Sequence, residues 1–421
     1  MLNFIEELEW RGMLHDATPG IREHLDEQPR VGYIGFDPTA PSMTIGNFVQ
    51  IQLLRLFQLS GHRPIVLMGG ATGRIGDPSG KDKERVLKSF KVLDSNLQHQ
   101  LAQMKRFLDF EGEHAAVIVN NYDFYANMNV LDFLRDVGKT LTVNYMSSKE
   151  SVKKRIETGI SFTEFSYQLL QGYDFQKLLQ EHDCTLQMGG SDQWGNITTG
   201  TEFIRKNLGA KAYAVTTPLL TKSDGSKFGK SEQGNIWLDE NMTSPYDFYQ
   251  FWLRADDADA AKFMRYFTLR SREETETLIA EQEPRYLMPL LAEELTVRVH
   301  GQENFEAAQN VSNLLFKKVN RETLMTLPEQ TLRMVSGQLP TMTIAREKLQ
   351  EGIELADLLA TETDILSSKS DVRRAVKNNA ISINKGKISK YETSVSTDDL
   401  LHDRYLMVEN GKKNKFLIEV A

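Results

Sequence analysis

The chain has 421 residues, more than a single domain usually holds, with 40% apolar and 26% charged residues and a net charge of −8. That balance predicts a soluble globular protein with a large core, excludes a disordered or collagen-like chain, and argues against general coating of nucleic acid. No apolar run reaches membrane-spanning length, the acidic start MLNFIEELEWRG is unlike a secretory signal, and the single cysteine, Cys184, can form no internal disulfide, so the cytoplasm is the expected compartment.

Residues 1–30 predict helices, broken at Gly12 and restarted after Thr18-Pro19-Gly20. Val31–Phe36 predicts a strand. Asp37-Pro38-Thr39 stops it, because proline cannot donate to a central ladder. From Gly46-Asn47 onward, apolar residues recur at helical spacing until Gly61. Such a unit aims free backbone N–H groups at the helix start, where an anion can sit, although an ordinary βα unit reads the same way. Pro64–Met68 is a continuous apolar run suited to a strand buried on both faces. It leads into GGATGRIGDPSGKDKER, residues 69–85, with five glycines, Asp77, and the cations Lys81, Lys83 and Arg85. Glycine allows close backbone approach and the cations suit phosphates. Neither GxxxxGK[ST] nor GxGxxG fits this loop, and a plain surface loop has a similar composition.

Residues 86–112 predict a helix, Ala116–Val119 a strand, Val130–Val137 a helix, and 147–160 a solvated basic helix face. A long helix is expected over 161–181, capped by Ser161 or Thr163. Tyr167, Gln171 and Asp174 fall at i, i+4 and i+7 on one of its faces. A phenol, an amide and a carboxylate beside an apolar stripe could hold a small polar ligand; a solvent-facing stripe would look the same. Thr185–Met188 predicts a strand, residues 189–196 (GGSDQWGN) a glycine-rich turn, then a helix to Lys206 and a strand over Ala212–Thr216. Strands alternating with helices predict an α/β fold, a Rossmann-like doubly wound parallel sheet. Ligands bind such sheets beyond the C-terminal strand ends. The loops 37–47, 69–85 and 189–196 all follow strands and so converge on that edge.

Residues 221–234, TKSDGSKFGKSEQG, predict a mobile loop carrying Lys222, Lys227 and Lys230. Residues 240–325 read as helices, and 326–350, with Pro328, Gly337 and Pro340, as a linker. The tail has a short helix over Ser370–Asn379, a strand from Ile381 to Asn384 and a Lys-Gly turn. Between Lys369 and Lys390 it carries seven basic residues and one acid, Asp371, a local charge of +6. A basic helix-plus-hairpin suits the backbone of structured RNA. The expected domains are 1–222 (Rossmann-like), 223–325 (lysine loop and helical domain), 326–350 (linker) and 351–421 (basic, suited to RNA).

YIGFDPTAPS at 33–42, GGATGRIGDPSGK at 69–81, FTEFSYQLLQGYDF at 162–175, GGSDQWGNI at 189–197 and KFGKS at 227–231, in this order, resemble the bacterial tyrosyl-tRNA synthetases of class I. The tail SKSDVRRAVKNNAISINKGKI resembles an S4-type RNA-binding module. The resemblance spans essentially the whole chain and implies that 1–222 is the catalytic domain. It implies a tyrosine--tRNA ligase that forms tyrosyl-adenylate from L-tyrosine and ATP with Mg²⁺, then charges tRNA(Tyr). It also implies a homodimer with no tightly bound cofactor, no protein metal ligands and no membrane partner. It puts Tyr33 and Asp174 on the substrate phenol, Tyr167, Gln171 and Asp77 on its amino group, and Gln187 beside them. Asp37, Thr39, Gly46, Gly190, Asp192 and Gln193 would line the ATP side. Lys81, Arg85, Lys227 and Lys230 would meet the leaving pyrophosphate, and Lys369, Arg373, Arg374, Lys377, Lys385 and Lys387 the RNA. One motif departs. The family usually reads His-Ile-Gly-His where this chain has Thr44-Ile45-Gly46-Asn47. Thr44 and Asn47 are expected to replace the imidazoles as neutral donors. The alternatives are a catalytically weakened paralogue that binds tyrosine or RNA, and a synthetase for tryptophan.

Overall fold

The computed structural model describes residues 2–79, 87–231, 234–317, 319–411 and 414–421. It divides into two compact units, Met1–Thr243 with Phe251–Val299, and Ser244–Gln250 with His300–Ala421. These divisions fall elsewhere than the boundaries expected from sequence.

The first unit is built on a six-stranded sheet: β1 (Asp16–Ala17), β2 (Val31–Phe36), β3 (Arg63–Met68), β4 (Val117–Asn120), β5 (Cys184–Gly190) and β6 (Tyr213–Thr217). The order is β1-β6-β5-β2-β3-β4. β2 through β6 run parallel; β1, a two-residue strand with no sequence signal, pairs antiparallel with β6. The chain moves outward from β2 to β3 and β4, then returns to the other side of β2 with β5. The switch point thus lies between β2 and β5, at the edge where the three strand-following loops were expected to meet.

The helix Ile45–Leu59 follows β2 and buries Phe48, Ile51, Leu54 and Phe57, the positions its periodicity marks. The helix Phe162–His182 is capped by the Ser161 hydroxyl, which accepts from Glu164 N at 3.1 Å. Its C-terminus closes on Asp183 in the left-handed region, which a short polar side chain tolerates. Over 86–112 only Phe90–Met104 is a regular helix.

The helices of 251–299 do not stand apart. Arg11 donates to the backbone oxygens of Arg265 (2.5 Å) and Thr268 (2.8 Å), and Trp10 to Glu276 (2.6 Å). These side chains tie helices Asp257–Phe267 and Arg272–Glu281 to the N-terminal segment, within the first unit. The lysine loop is anchored too. Phe228, between Lys227 and Lys230, packs among the rings of Phe251, Trp252, Phe263 and Phe267, with centroids 5.2–5.8 Å away. Phe228→Ala should cost about 3–5 kcal/mol by leaving that cavity. Urea unfolding should show it, and the loss should exceed that of Lys227→Ala.

In the second unit, the stretch expected to be a linker is ordered. Thr341–Ile344 is a β-branched strand that pairs in parallel with Asn414–Val420, at the edge of a five-stranded sheet. Helix Lys369–Lys377 buries Val372 and Val376 against Leu355, Leu358, Leu359 and Ile381. Ile381–Ile383 pairs with Gly386–Lys387 across a two-residue turn of Asn384 and Lys385, both left-handed, so the turn lies one residue before the expected Lys-Gly turn: Asn384 leaves the strand and Gly386 joins it.

Candidate active site

A cavity of about 230 Å³ opens at the switch point. β2 contributes Tyr33 at its centre and Asp37 just past its end; β5 contributes Gln187 and Gly190. The Phe162 helix supplies Tyr167, Gln171 and Asp174, so its three-residue face does converge on a site. Asp77, Thr39, Asn47 and Gln193 complete the expected residues in the lining.

The cavity is graded in burial. Tyr33 and Asp174 are each 1% exposed and Gln187 is 2% exposed, whereas Asn47 is exposed. At the buried end, Tyr33 Oη, Gln171 Oε1 and Gln187 Oε1 have no hydrogen-bond partner among the described residues. Buried polar groups are almost always paired, so three orphans around one cavity mark where a polar ligand belongs. Asp174 Oδ2 accepts from Asn121 Nδ2 at 2.9 Å and Oδ1 from Tyr125 Oη at 2.7 Å. Burial pushes the Asp174 carboxyl up to about 7, against the pull of those two donors. Burial likewise raises the Tyr33 and Tyr167 hydroxyls, so both stay protonated donors.

Towards the open end, Asp37 accepts from Tyr167 Oη (3.1 Å) and Thr72 Oγ1 (2.7 Å). Asp77 accepts from Gln193 Nε2 (2.9 Å) and from the backbone of Ser79 (2.9 Å). Gly69 is required here: a Cβ would sit 2.0 Å from Asp37 Oδ1 and 2.6 Å from Thr72 Oγ1. Asn121, Tyr125 and Thr72 hold the expected residues in place and had no periodic signal. Asn121 directly follows β4, so the strand-end rule alone would have found it.

Thr44 and Asn47 bind each other. Thr44 is the N-cap of the Ile45 helix; its hydroxyl donates to Asn47 Oδ1 at 2.9 Å, and its backbone N–H donates to the same oxygen at 3.0 Å. Thr44 therefore spends its proton on Asn47, contrary to its expected role as a free donor. Asn47 alone lines the main cavity; both line an adjoining one of about 140 Å³ with Thr39, Asn235 and Trp237. The strand-like segment after the lysine loop docks there, with Ile45 N donating to Ile236 O at 2.9 Å. Gly229, at φ +87°, lies within 3.0 Å (as a Cβ) of Ile45. The loop's backbone is thereby joined to the helix start. Gly46 lies in that helix's first turn, Asp192 is exposed beside Gly190, and Lys227 is exposed; none of the three lines either cavity. Lys81 and Arg85 lie outside the described residues, as does the Lys230 side chain.

Sequence comparison decides the family. Residues 26–317 match the model of class I tRNA synthetases (W and Y), and residues 332–418 that of the tyrosine--tRNA ligase SYY-like C-terminal domain. A tyrosine--tRNA ligase of Porphyromonas gingivalis is 52% identical, with 100% of each chain covered. One of Cytophaga hutchinsonii is 52% identical over 99% of each. The chain belongs to the class I tyrosyl-tRNA synthetases. A C-terminally truncated mitochondrial tyrosyl-tRNA synthetase of Aspergillus nidulans has the same fold at TM-score 0.67 and 30% identity, covering 75% of this chain and 95% of that one. Full-length likeness to ligases supports activity, and the weakened-paralogue reading gains nothing from it.

In this tyrosyl-tRNA synthetase the tail's charge is smaller than its sequence window suggests. Lys369 pairs with Asp357, Arg374 with Asp371, and Lys385 with Glu409 at 2.6 Å, the last pair mostly buried. Asp357 and Glu409 come from outside the counted window. Arg373 lies over the Tyr391 ring, and Arg373, Lys377 and Lys387 remain exposed.

Proposed function

We propose that the cavity binds L-tyrosine at its buried end and ATP at its open end, joins them as tyrosyl-adenylate, and passes tyrosine to the 3′ end of tRNA(Tyr). The observation that carries this is the orphaned Tyr33 hydroxyl beside the buried Asp174 carboxylate. A substrate phenol between them can accept from Tyr33 and donate to Asp174. Phenylalanine would leave the Tyr33 hydroxyl unsatisfied and deny Asp174 its third donor, at a cost of about 1–3 kcal/mol. Asp77, Tyr167 and Gln171 then suit a cationic amino group, and Gln187 lies beside the ring.

The first step needs no acid or base. A carboxylate oxygen of tyrosine bonds to the α-phosphorus in line, and the bond to the bridging oxygen breaks, its electron pair leaving with pyrophosphate. Positioning and neutralising that charge is the whole task. Asn47, the amides at the helix start, Lys227 and Lys230 supply it, with Lys81 and Arg85. ATP would bring Mg²⁺ with it, which would neutralise part of the phosphate charge. In the second step a ribose hydroxyl of the tRNA end attacks the acyl carbon, the bond from that carbon to the phosphate oxygen breaks, and AMP leaves with the electron pair and takes up the hydroxyl proton.

Arg373, Lys377 and Lys387 are the tail residues best placed to contact RNA phosphates. A homodimer is supported by an apolar groove on the first unit whose lining includes the exposed Phe90 (60%) and Val130 (68%). The cytoplasm, where tRNA is charged, is the compartment this reading implies. Tyrosine-dependent exchange of labelled pyrophosphate into ATP tests it. Exchange with tyrosine, and little with tryptophan or phenylalanine, is expected; folded protein giving no exchange would overturn it.

A further inference from the structure

Tyr125 does not line the tyrosine cavity, yet it touches that cavity's most buried charge. It lies in the short helix Tyr122–Tyr125 that follows β4. Its ring faces a separate apolar groove of about 460 Å³, lined also by Arg74, Phe90, Val130 and Phe133. Its hydroxyl reaches through to the Phe162 helix, within 2.7 Å of Asp174 Oδ1 and 2.9 Å of the Leu170 carbonyl oxygen. Leu170 sits one helical turn before Asp174, so the phenol grips the turn that carries the carboxylate. We propose that Tyr125 is a positioning residue for tyrosine recognition, clamping Asp174 from the side opposite the substrate and thereby setting affinity for the phenol and preference over phenylalanine. This rests on the tyrosine-binding reading above.

The physical case is one of geometry and competition. A carboxylate at the end of a free side chain rotates about χ2, whose wells are broad. Asn121 holds Oδ2 and Tyr125 holds Oδ1, so rotation would break a charge-assisted bond at either oxygen. Each oxygen keeps a second acceptor site, which leaves room for a substrate hydroxyl without displacing the clamp. Asn121 is itself held, accepting from Ala71 N (2.7 Å) and donating to Thr72 Oγ1 (3.0 Å). Tyr125 is held by its ring contacts with Phe133 and Tyr173, and its single hydroxyl proton lies between Asp174 Oδ1 and the Leu170 carbonyl oxygen, the former at the shorter distance. Both donors are thus fixed before substrate arrives, which is the requirement for preorganised recognition. The ionisable groups around Asp174 are Tyr33 on β2, Asp37 after it, Tyr125, and Tyr167 and Tyr173 on its own helix. Tyr125 is the ionisable group that donates directly to the carboxylate, so its removal has a signature in pH that loose packing would not produce.

The test is Tyr125→Phe in the full chain, which keeps the ring in the groove and deletes only the oxygen. Pyrophosphate exchange is measured against tyrosine concentration and pH. The KM for tyrosine should rise about 10- to 100-fold, as expected for a lost hydrogen bond to a charged group. The rate at saturating tyrosine and the KM for ATP should change little. The tyrosine-to-phenylalanine ratio should fall, and the acid limb of kcat/KM for tyrosine should move to higher pH. An unchanged KM and an unmoved acid limb would overturn the inference. If the variant is unstable, Tyr125→Met fills the same space without a hydroxyl, and the same two readouts decide. Wild-type protein runs alongside: absence of its own exchange would defeat the tyrosine-binding reading, whereas normal wild-type exchange with a wild-type-like variant would defeat this inference alone.

Discussion

Asp174→Asn should lower kcat/KM for tyrosine by about 10²- to 10⁴-fold, the largest effect of any single substitution in the cavity. The amide removes a charged acceptor from a site that offers it three donors: Asn121 Nδ2, Tyr125 Oη and the substrate phenol. Only one amide oxygen remains to accept, and the amide's own N–H groups then face a donor. Each lost or mismatched bond to a charged group is worth about 1.5–3 kcal/mol, and two of them, about 3–6 kcal/mol together, give the stated range. The effect should fall on tyrosine and spare phenylalanine, so selectivity should collapse while the KM for ATP holds. Steady-state exchange with both amino acids reads this out. Equal losses for both substrates would show that Asp174 supports the fold and does not recognise the phenol.

The same residue makes a pH prediction with a definite sign. Burial holds Asp174 up to about 7 in the folded protein, against an ordinary value of 3.8. Between those values the folded chain binds a proton that the unfolded chain has released. Stability of the free protein from this group therefore falls as pH rises from about 4 to 7, on the order of a few kcal/mol in total. Tyrosine affinity should run the other way, because the phenol donates to the ionised form: binding tightens as pH rises through about 7. Asp174→Asn should flatten both profiles. Urea unfolding across this pH range, with and without tyrosine, separates the two slopes.

What could be read without coordinates followed the periodic parts of the chain. The proline stop after Phe36, the apolar run before Gly69 and the 3.6-residue spacing of Tyr167, Gln171 and Asp174 are local signals: the two strands and the helix are present, and the three residues line one cavity. The residues that hold Asp174 were invisible for a physical reason. Asn121 and Tyr125 follow β4 in a non-periodic turn, about fifty residues from their partner, and nothing local records a contact made by sheet topology. The tail shows the same limit for charge. A window count treats Lys369 and Lys385 as free cations, but the fold brings Asp357 and Glu409 to them. Residues 341–344 looked like linker because their strand partner, Asn414–Val420, lies some seventy residues on.

The Thr-Ile-Gly-Asn motif yields the last prediction, in which its two polar residues separate. Asn47 is the residue exposed to the main cavity, and its Oδ1 is already occupied by the hydroxyl and the backbone N–H of Thr44. That fixes which end of the amide points away: Nδ2 is left to donate to a phosphate oxygen as charge develops there. Deleting one such preorganised donor typically lowers kcat about 10²- to 10³-fold, which is the expectation for Asn47→Ala in adenylate formation. Thr44→Ala removes only the clasp and an N-cap worth about 1 kcal/mol, so its rate loss should be smaller, about tenfold, with some loss of stability. Thr44→Ser keeps the hydroxyl and should restore both. Neither change should alter the KM for tyrosine appreciably, since that pocket lies at the buried end. Single-turnover adenylate formation at saturating tyrosine gives the order. A Thr44→Ala defect as deep as that of Asn47→Ala would mean that the threonine hydroxyl itself meets the triphosphate, and the clasp would then be a resting arrangement that ATP breaks.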